Sequence, residues 1–221
     1  MRIAIAGGHG QIARRLSRLL AERGDTPLAI VRHPAHVTDV EADGATAVLL
    51  DLEDADADTL AAQLSDADAV VFAAGAGPGS GAERKDTVDR GAAALLADAA
   101  AQAGVRRYVL VSSVGAGAEP PAGTDEVFAA YLRAKTAAEE DLRARDLDWT
   151  VLRPGGLTDD PGTGHVRLGP EIPRGKVPRD DVAAVLVALL DEPRTAGLTL
   201  ELSEGAVPVA AAIAAALEPE D

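Results

Sequence analysis

Hydrophobic positions along the chain fall into short runs separated by longer stretches of helical period. Segments 2–6, 28–32, 45–50, 69–73, 107–112, 148–153 and 198–202 read as strands. Most are continuously apolar, as in Val48-Leu49-Leu50 and Tyr108-Val109-Leu110-Val111, the pattern of strands covered on both faces of a parallel sheet. Segments 11–23, 58–64, 83–103, 125–145 and 180–190 carry a helical repeat, and Gly24 and Gly104 stand where helices stop. An alanine-rich segment, 209–217, reads as a further helix covering the core. Strand–helix alternation predicts a doubly wound α/β domain spanning 1–221, with 154–221 contributing a small substrate-side lobe.

Three loops, 74–82, 115–123 and 154–164, are rich in glycine or proline, and each follows a predicted strand. They are expected to gather along the carboxyl edge of the sheet, where open α/β folds bind ligands.

The first strand runs into Gly7-Gly8-His9-Gly10-Gln11-Ile12-Ala13, and a helix begins at once. Read from Gly8 the pattern is G-x-G-x-x-A; read from Gly7 it is G-x-x-G-x-x-A. In either frame glycine permits a tight turn and close approach of backbone to a pyrophosphate, and small Ala13 lets the helix sit on the strand. Helix N-terminal N–H groups and the positive end of the dipole then hold the phosphates. This predicts a Rossmann-type dinucleotide site. The missing Gly-Lys-Ser/Thr ending excludes a phosphate-binding loop of the triphosphatase kind.

The second strand ends at Arg32, where an NAD site would place a carboxylate for the ribose 2′-hydroxyl. An arginine there suits a 2′-phosphate, so NADP(H) is expected over NAD(H). Asp51 either receives the adenine amino group or simply opens the acidic run 51–58. That run is no calcium loop, because Thr59 and Ser65 stand where glycine and glutamate are required. It reads as acidic residues at a helix N-terminus.

Charge changes the list of partners. With 21 basic and 36 acidic residues, the net charge is 21 − 36 = −15, which argues against nucleic acid or an anionic membrane surface. Without cysteine there is no disulfide, thiolate metal site or cysteine nucleophile. His33 and His36, split by Pro34 and without a carboxylate set, do not read as a metal site; no metal is expected. His165 and Asp89 read as surface residues, the alternatives being a substrate-facing loop position for His165 and a place in the cleft for Asp89. The remaining expectation is a cytoplasmic monomer or homodimer acting on a small molecule, with no targeting segment evident.

Strand 107–112 ends in Ser112-Ser113, and Tyr131 and Lys135 follow at i,i+4 on a predicted helix. Their face continues through Ala138 and Leu142, so both polar heads lie on an apolar stripe. Lysine is scarce, three against 18 arginines, which makes Lys135 there unexpected on packing grounds. An ammonium beside a phenol favours the phenolate. Tyr131 can then act as proton donor to a carbonyl receiving hydride, with Ser113, or alternatively Ser112, holding the oxygen.

Together with LLDLED at 49–54, VVFAAGAG at 70–77, AGVRRYVLVSSVGA at 103–116, YLRAKTAAEEDL at 131–142 and WTVLRPGGL at 149–157, these motifs resemble the atypical short-chain dehydrogenase/reductases. Those small NAD(P)H-binding proteins are related to flavin and quinone reductases and to NmrA-like sensors, and the likeness covers nearly the whole chain. The resemblance implies that His9, Gly10, Gln11 and Ile12 wrap the pyrophosphate and that Arg32 takes the 2′-phosphate. It implies adenine against Asp51, Leu52, Ala73, Ala74 and Gly75, the nicotinamide ribose on Lys135, and the nicotinamide bordered by Pro154 and Gly155. The longer Ser113–Tyr131 separation departs from the better-known dehydrogenases. The implied activity is NAD(P)H-dependent reduction of a small carbonyl, quinone or flavin; a non-catalytic NADP sensor and an NAD-dependent sugar epimerase or dehydratase are the alternatives.

Overall fold

The computed structural model describes residues 1–77 and 79–218; Pro78 of the predicted loop 74–82 lies outside them. The first half runs β1 (Arg2–Ala6), α1 (Gln11–Glu22), β2 (Thr26–Val31), α2 (Val37–Ala42), β3 (Thr46–Leu49), α3 (Ala57–Leu64) and β4 (Ala69–Phe72). A helical stretch follows in three parts: α4 (Ala82–Arg84), a π-helical segment (Lys85–Gly91) and α5 (Ala92–Ala103). Then come β5 (Arg107–Val111), α6 (Glu126–Arg143), β6 (Asp148–Pro154), β7 (Gly156–Thr158), β8 (His165–Gly169) and β9 (Lys176–Pro178). The chain continues through α7 (Arg179–Asp191), β10 (Thr199–Glu204), β11 (Val207–Pro208) and α8 (Val209–Ala215).

Nine strands form one sheet in the order β11-β8-β10-β6-β5-β4-β1-β2-β3, and the seven from β10 to β3 run parallel. The chain leaves β1 toward β2 and β3, then returns to place β4 on the other side. The order therefore reverses between β1 and β4, where an open α/β sheet has its ligand crevice. Pro27 fits inside β2 because pairing with β3 begins only at Leu28, so no partner strand needs its missing N–H.

The central strands β1, β4, β5 and β6 divide their side chains between two cores. Ile3 and Ile5 pack with Leu16 and Leu20 of α1 and with α7, whereas Ala4 and Ala6 face α3, α5 and α6 on the opposite side. The apolar runs of β1, β4 and β5 therefore bury both faces, as the pattern predicts, but Val48-Leu49-Leu50 does not: β3 is the edge strand, and Leu49 is 53% exposed.

The sheet is mixed at one edge rather than wholly parallel. β8 runs antiparallel to β10, and β11 is antiparallel to β8. β8 alternates exposed and buried residues because it has solvent on one face, and at two to five residues these late strands are too short to show a period. β7 and β9 form a separate parallel pair in the C-terminal lobe. Helix starts follow the local chemistry: Asp56 caps α3 by accepting the Thr59 N–H at 2.8 Å, and Asp125 caps α6 by accepting that of Phe128 at 3.0 Å.

Candidate active site

Close packing shapes the turn after β1. Gly7 has φ +76°, and a Cβ there would lie 2.5 Å from the Ala74 Cα, inside the loop after β4. At Gly8 a Cβ would stand 2.7 Å from the Ala29 side chain of β2. The Gly10 N–H donates to the Gly7 carbonyl at 2.7 Å, and α1 starts with no side chain capping its first turn. Free N–H groups therefore point from the helix start at the crevice. These features fit a pyrophosphate: glycine is required sterically, and the helix donors are unspent.

Two joined hollows lie along the carboxyl edge, of about 320 and 480 Å³, and residues 73–76 wall both. The smaller is lined by Gly7, His9, Gly10, Arg32, Asp51 and Leu52 as well as by Ala73, Ala74 and Gly75. The larger collects Ile12, Ser112, Ser113, Tyr131, Lys135, Pro154 and Gly155. The fold thus gathers residues read separately from the sequence into one two-ended cleft. Gln11 is the exception, lining neither hollow; its side chain lies beside Arg15.

At the first end, Glu53 stands between two guanidinium groups, 3.2 Å from Arg32 and 2.8 Å from Arg84, and accepts the Thr87 hydroxyl at 2.8 Å. Arg84 and Glu53 were not legible as site residues: one lies in a helix 52 positions after Arg32, the other inside an acidic run. His9 stacks on His36 with ring centroids 3.7 Å apart and planes 2° apart, and His33 meets His36 edge-on. Burial, with the neighbouring His9 and His33, holds the His36 imidazole below its ordinary value.

At the second end, the buried Lys135 ammonium donates to the Val111 carbonyl at 3.0 Å and lies 5.8 Å from the Tyr131 ring centre. It also stands 3.1 Å from Oδ1 of Asp89, off the line of a hydrogen bond. Asp89 is fully buried, which corrects the surface reading. Its other oxygen accepts the Ala76 N–H at 3.1 Å and so holds the loop after β4. The signal was present: Asp89, Ala92, Leu96 and Ala99 share one helical stripe, and the three alanine and leucine members are core.

The two serines have different partners. Ser112 donates to buried Glu139 at 2.5 Å, and Glu139 also accepts from Arg153 (2.9 and 2.6 Å) and Arg143 (2.8 Å). Burial opposes the Glu139 charge, but the hydrogen bonds from Arg153 and Ser112 outweigh it and hold the carboxyl below its ordinary value. Among the described residues Ser113 makes a single 3.3 Å contact, to the adjacent Val114 carbonyl, so its hydroxyl is the less committed one.

The NAD(P)H-binding family matches residues 7–193. The chain belongs to that family. Its Rossmann fold is shared with solved short-chain dehydrogenase/reductase structures at 20% identity, a likeness of fold alone. Curated relatives include YhfK of Bacillus subtilis (strain 168), named an uncharacterized sugar epimerase. It is 37% identical over 214 residues, covering 96% of this chain and 99% of its own. The protein YMR090W of Saccharomyces cerevisiae is 33% identical over 218 residues, covering 95% and 96%. Among solved structures, a Bacillus halodurans protein provisionally described as an NAD-dependent epimerase/dehydratase superposes with TM-score 0.90 at 33% identity, covering 97% of this chain and 99% of its own. ChuY of Escherichia coli O157:H7, named an anaerobillin reductase, superposes with TM-score 0.79 at 27% identity, covering 92% and 97%.

Proposed function

We propose that the protein is an NADP(H)-dependent oxidoreductase that reduces a small carbonyl, quinone or flavin. The observation that carries this reading is the convergence of Tyr131, Ser113 and Lys135 on the half of the cleft bordered by Pro154 and Gly155. Bound NADPH supplies a hydride to the acceptor. Gly7, Gly10 and the open first turn of α1 bind its pyrophosphate. Ala73, Ala74 and Gly75 with Asp51 and Leu52 form the adenine wall. Arg32 and Arg84, two cations against the single Glu53 charge, favour a 2′-phosphate over a bare hydroxyl.

In this scheme the Tyr131 hydroxyl gives its proton to the acceptor oxygen as negative charge develops there. Ser113 donates a hydrogen bond to the same oxygen. Ser112 acts at one remove, because its bond to Glu139 pins the end of β5. Lys135 holds the nicotinamide ribose, its ammonium oriented by the Val111 carbonyl and Asp89.

NADPH consumption with a panel of quinones, flavins and aldehydes tests the proposal. Turnover that falls at least tenfold in Tyr131→Phe, with NADPH binding unchanged, supports it. Tight NADPH binding with no turnover on any acceptor, and no effect of Tyr131→Phe, would point to the sensor alternative. The names of the B. subtilis and B. halodurans relatives favour a second reading, an epimerase or dehydratase with retained NAD. It predicts that NAD(H) copurifies and that Glu53 grips the ribose hydroxyl.

A further inference from the structure

The second half of the cleft holds two lysines that differ in charge balance. Lys135 is 3% exposed and has Asp89 as its counter-ion. Lys85 is 9% exposed, yet among the described residues its Nζ has one hydrogen-bond partner, the Gly77 carbonyl at 2.9 Å. Among the described residues no carboxylate forms an ion pair with it. Asp125, on the wall of the same hollow, turns its carboxylate to the Phe128 N–H that starts α6. An ammonium on the wall of an open hollow, with one neutral acceptor among the described residues, keeps two donors free for a ligand.

The surroundings of Lys85 are those of a ring site. Its ammonium stands 5.3 Å from the Tyr131 ring centre, on which the Phe128 ring packs with centroids 5.8 Å apart and planes 27° apart. Phe128 is 49% exposed, and Val127 and Leu157 stand exposed on the same rim. The chain has five aromatic residues, and two of them lie at this mouth. Lys85 and Asp89 stand four residues apart in the π-helical segment, about one turn, so both face the cleft.

We propose that Lys85 is the anion-recognition residue of the substrate half, and that the acceptor is a planar conjugated ring compound bearing a carboxylate or similar anionic group. The inference rests on the redox reading of this same hollow and names its substrate class. During reduction the acceptor carbonyl carbon takes the hydride of NADPH and its oxygen takes the Tyr131 proton, leaving NADP+ and the alcohol, and the Tyr131 phenolate regains its proton from water. The anionic group is unchanged and stays on Lys85.

Calorimetry with 2-naphthoate and the isosteric, uncharged 2-naphthamide tests this without turnover, using the full chain with and without NADP+. Naphthoate is expected to bind about tenfold more tightly than the amide, the size of one charge-assisted hydrogen bond. Lys85→Gln should bring that ratio near one, and Lys85→Arg, which keeps the charge, should retain most of it. Equal binding of the two probes by the wild type would overturn the proposal, as would an unchanged ratio in Lys85→Gln. So would a Lys85→Gln effect confined to NADP+ affinity, which would place the ammonium with the cofactor. Should the redox reading alone fail, the naphthoate preference persists while no acceptor consumes NADPH.

Discussion

Lys135 and Asp89 form a buried ion pair at the centre of the cleft, Nζ to Oδ1 3.1 Å, with side chains 4% and 0% exposed. Three segments meet there: α6 brings the lysine, the π-helical segment brings the aspartate, and the loop after β4 is tied in through the Ala76 N–H. Removing one member leaves a charge out of water without its partner, which costs about 3–5 kcal/mol. Asp89→Leu should therefore lower the urea midpoint sharply, and adding Lys135→Met should recover most of the loss. If the double variant were no more stable than Asp89→Leu, the pair would not be the coupling unit described.

Glycine is required at Gly7 for two reasons and at Gly24 for one. Both have positive φ, but a Cβ meets Ala74 at Gly7 and nothing within 4 Å at Gly24. Gly24→Ala should cost about 1–2 kcal/mol from backbone strain alone and leave nucleotide binding intact. Gly7→Ala should cost more and abolish binding, because the turn that aims α1 at the phosphates cannot close. Thermal melts paired with NADPH fluorescence titrations separate the two outcomes.

The proposed preference for NADP(H) rests on the Arg32–Glu53–Arg84 cluster. Arg32→Glu and Arg84→Glu are each expected to weaken NADPH binding about tenfold or more, at 1.4 kcal/mol per decade, with little change for NADH. Equal NADH and NADPH affinity in the wild type would refute the 2′-phosphate assignment. The test is nucleotide titration of the wild type and both variants at fixed ionic strength.

Glu139 should make stability depend on acid pH. Its folded-state pKa is lowered, so the stabilisation is fully present above the unfolded carboxyl value, about 4.3. It is lost as pH falls from there through the folded value. Glu139→Gln should cost about 1–3 kcal/mol at pH 7, and the gap to wild type should shrink as pH is lowered through that window. Denaturant midpoints measured from pH 7 to pH 3 check the sign; a gap that widened in acid would contradict it.

Where the sequence reading worked, it relied on patterns confined to one element. The apolar runs of β1, β4 and β5 report burial on two faces, and Gly7-Gly8-His9-Gly10 reports a turn with no room for side chains. Tyr131 and Lys135 share a face because four residues make about one helical turn. Lys135 also stood out as a lysine on a stripe that packing alone would fill with apolar residues. Asp89 sat on an equivalent stripe and was read as surface, because an early-helix aspartate is also what a solvated helix start contains.

Other features depended on distances that no local pattern encodes. Arg84 joins Arg32 at one carboxylate only because the helical stretch after β4 meets the segment after β3 at Glu53. Ser112 and Ser113 are equivalent on paper and both line the larger hollow, but the fold brings buried Glu139 within reach of the Ser112 hydroxyl alone. The short strands of the C-terminal lobe are paired by tertiary contacts rather than by propensity, so their sequence carries little signal.

By itself the sequence determined the doubly wound sheet, the glycine turn and the Tyr131–Lys135 face. Each is set by steric and periodic rules acting over one strand or one helical turn. Only the tertiary structure decided which charges are compensated: Lys135 by Asp89, Arg32 and Arg84 by Glu53, and Lys85 by no carboxylate among the described residues. Ion pairing depends on separation through space and on burial, and both are properties of the folded chain rather than of neighbouring positions in the sequence.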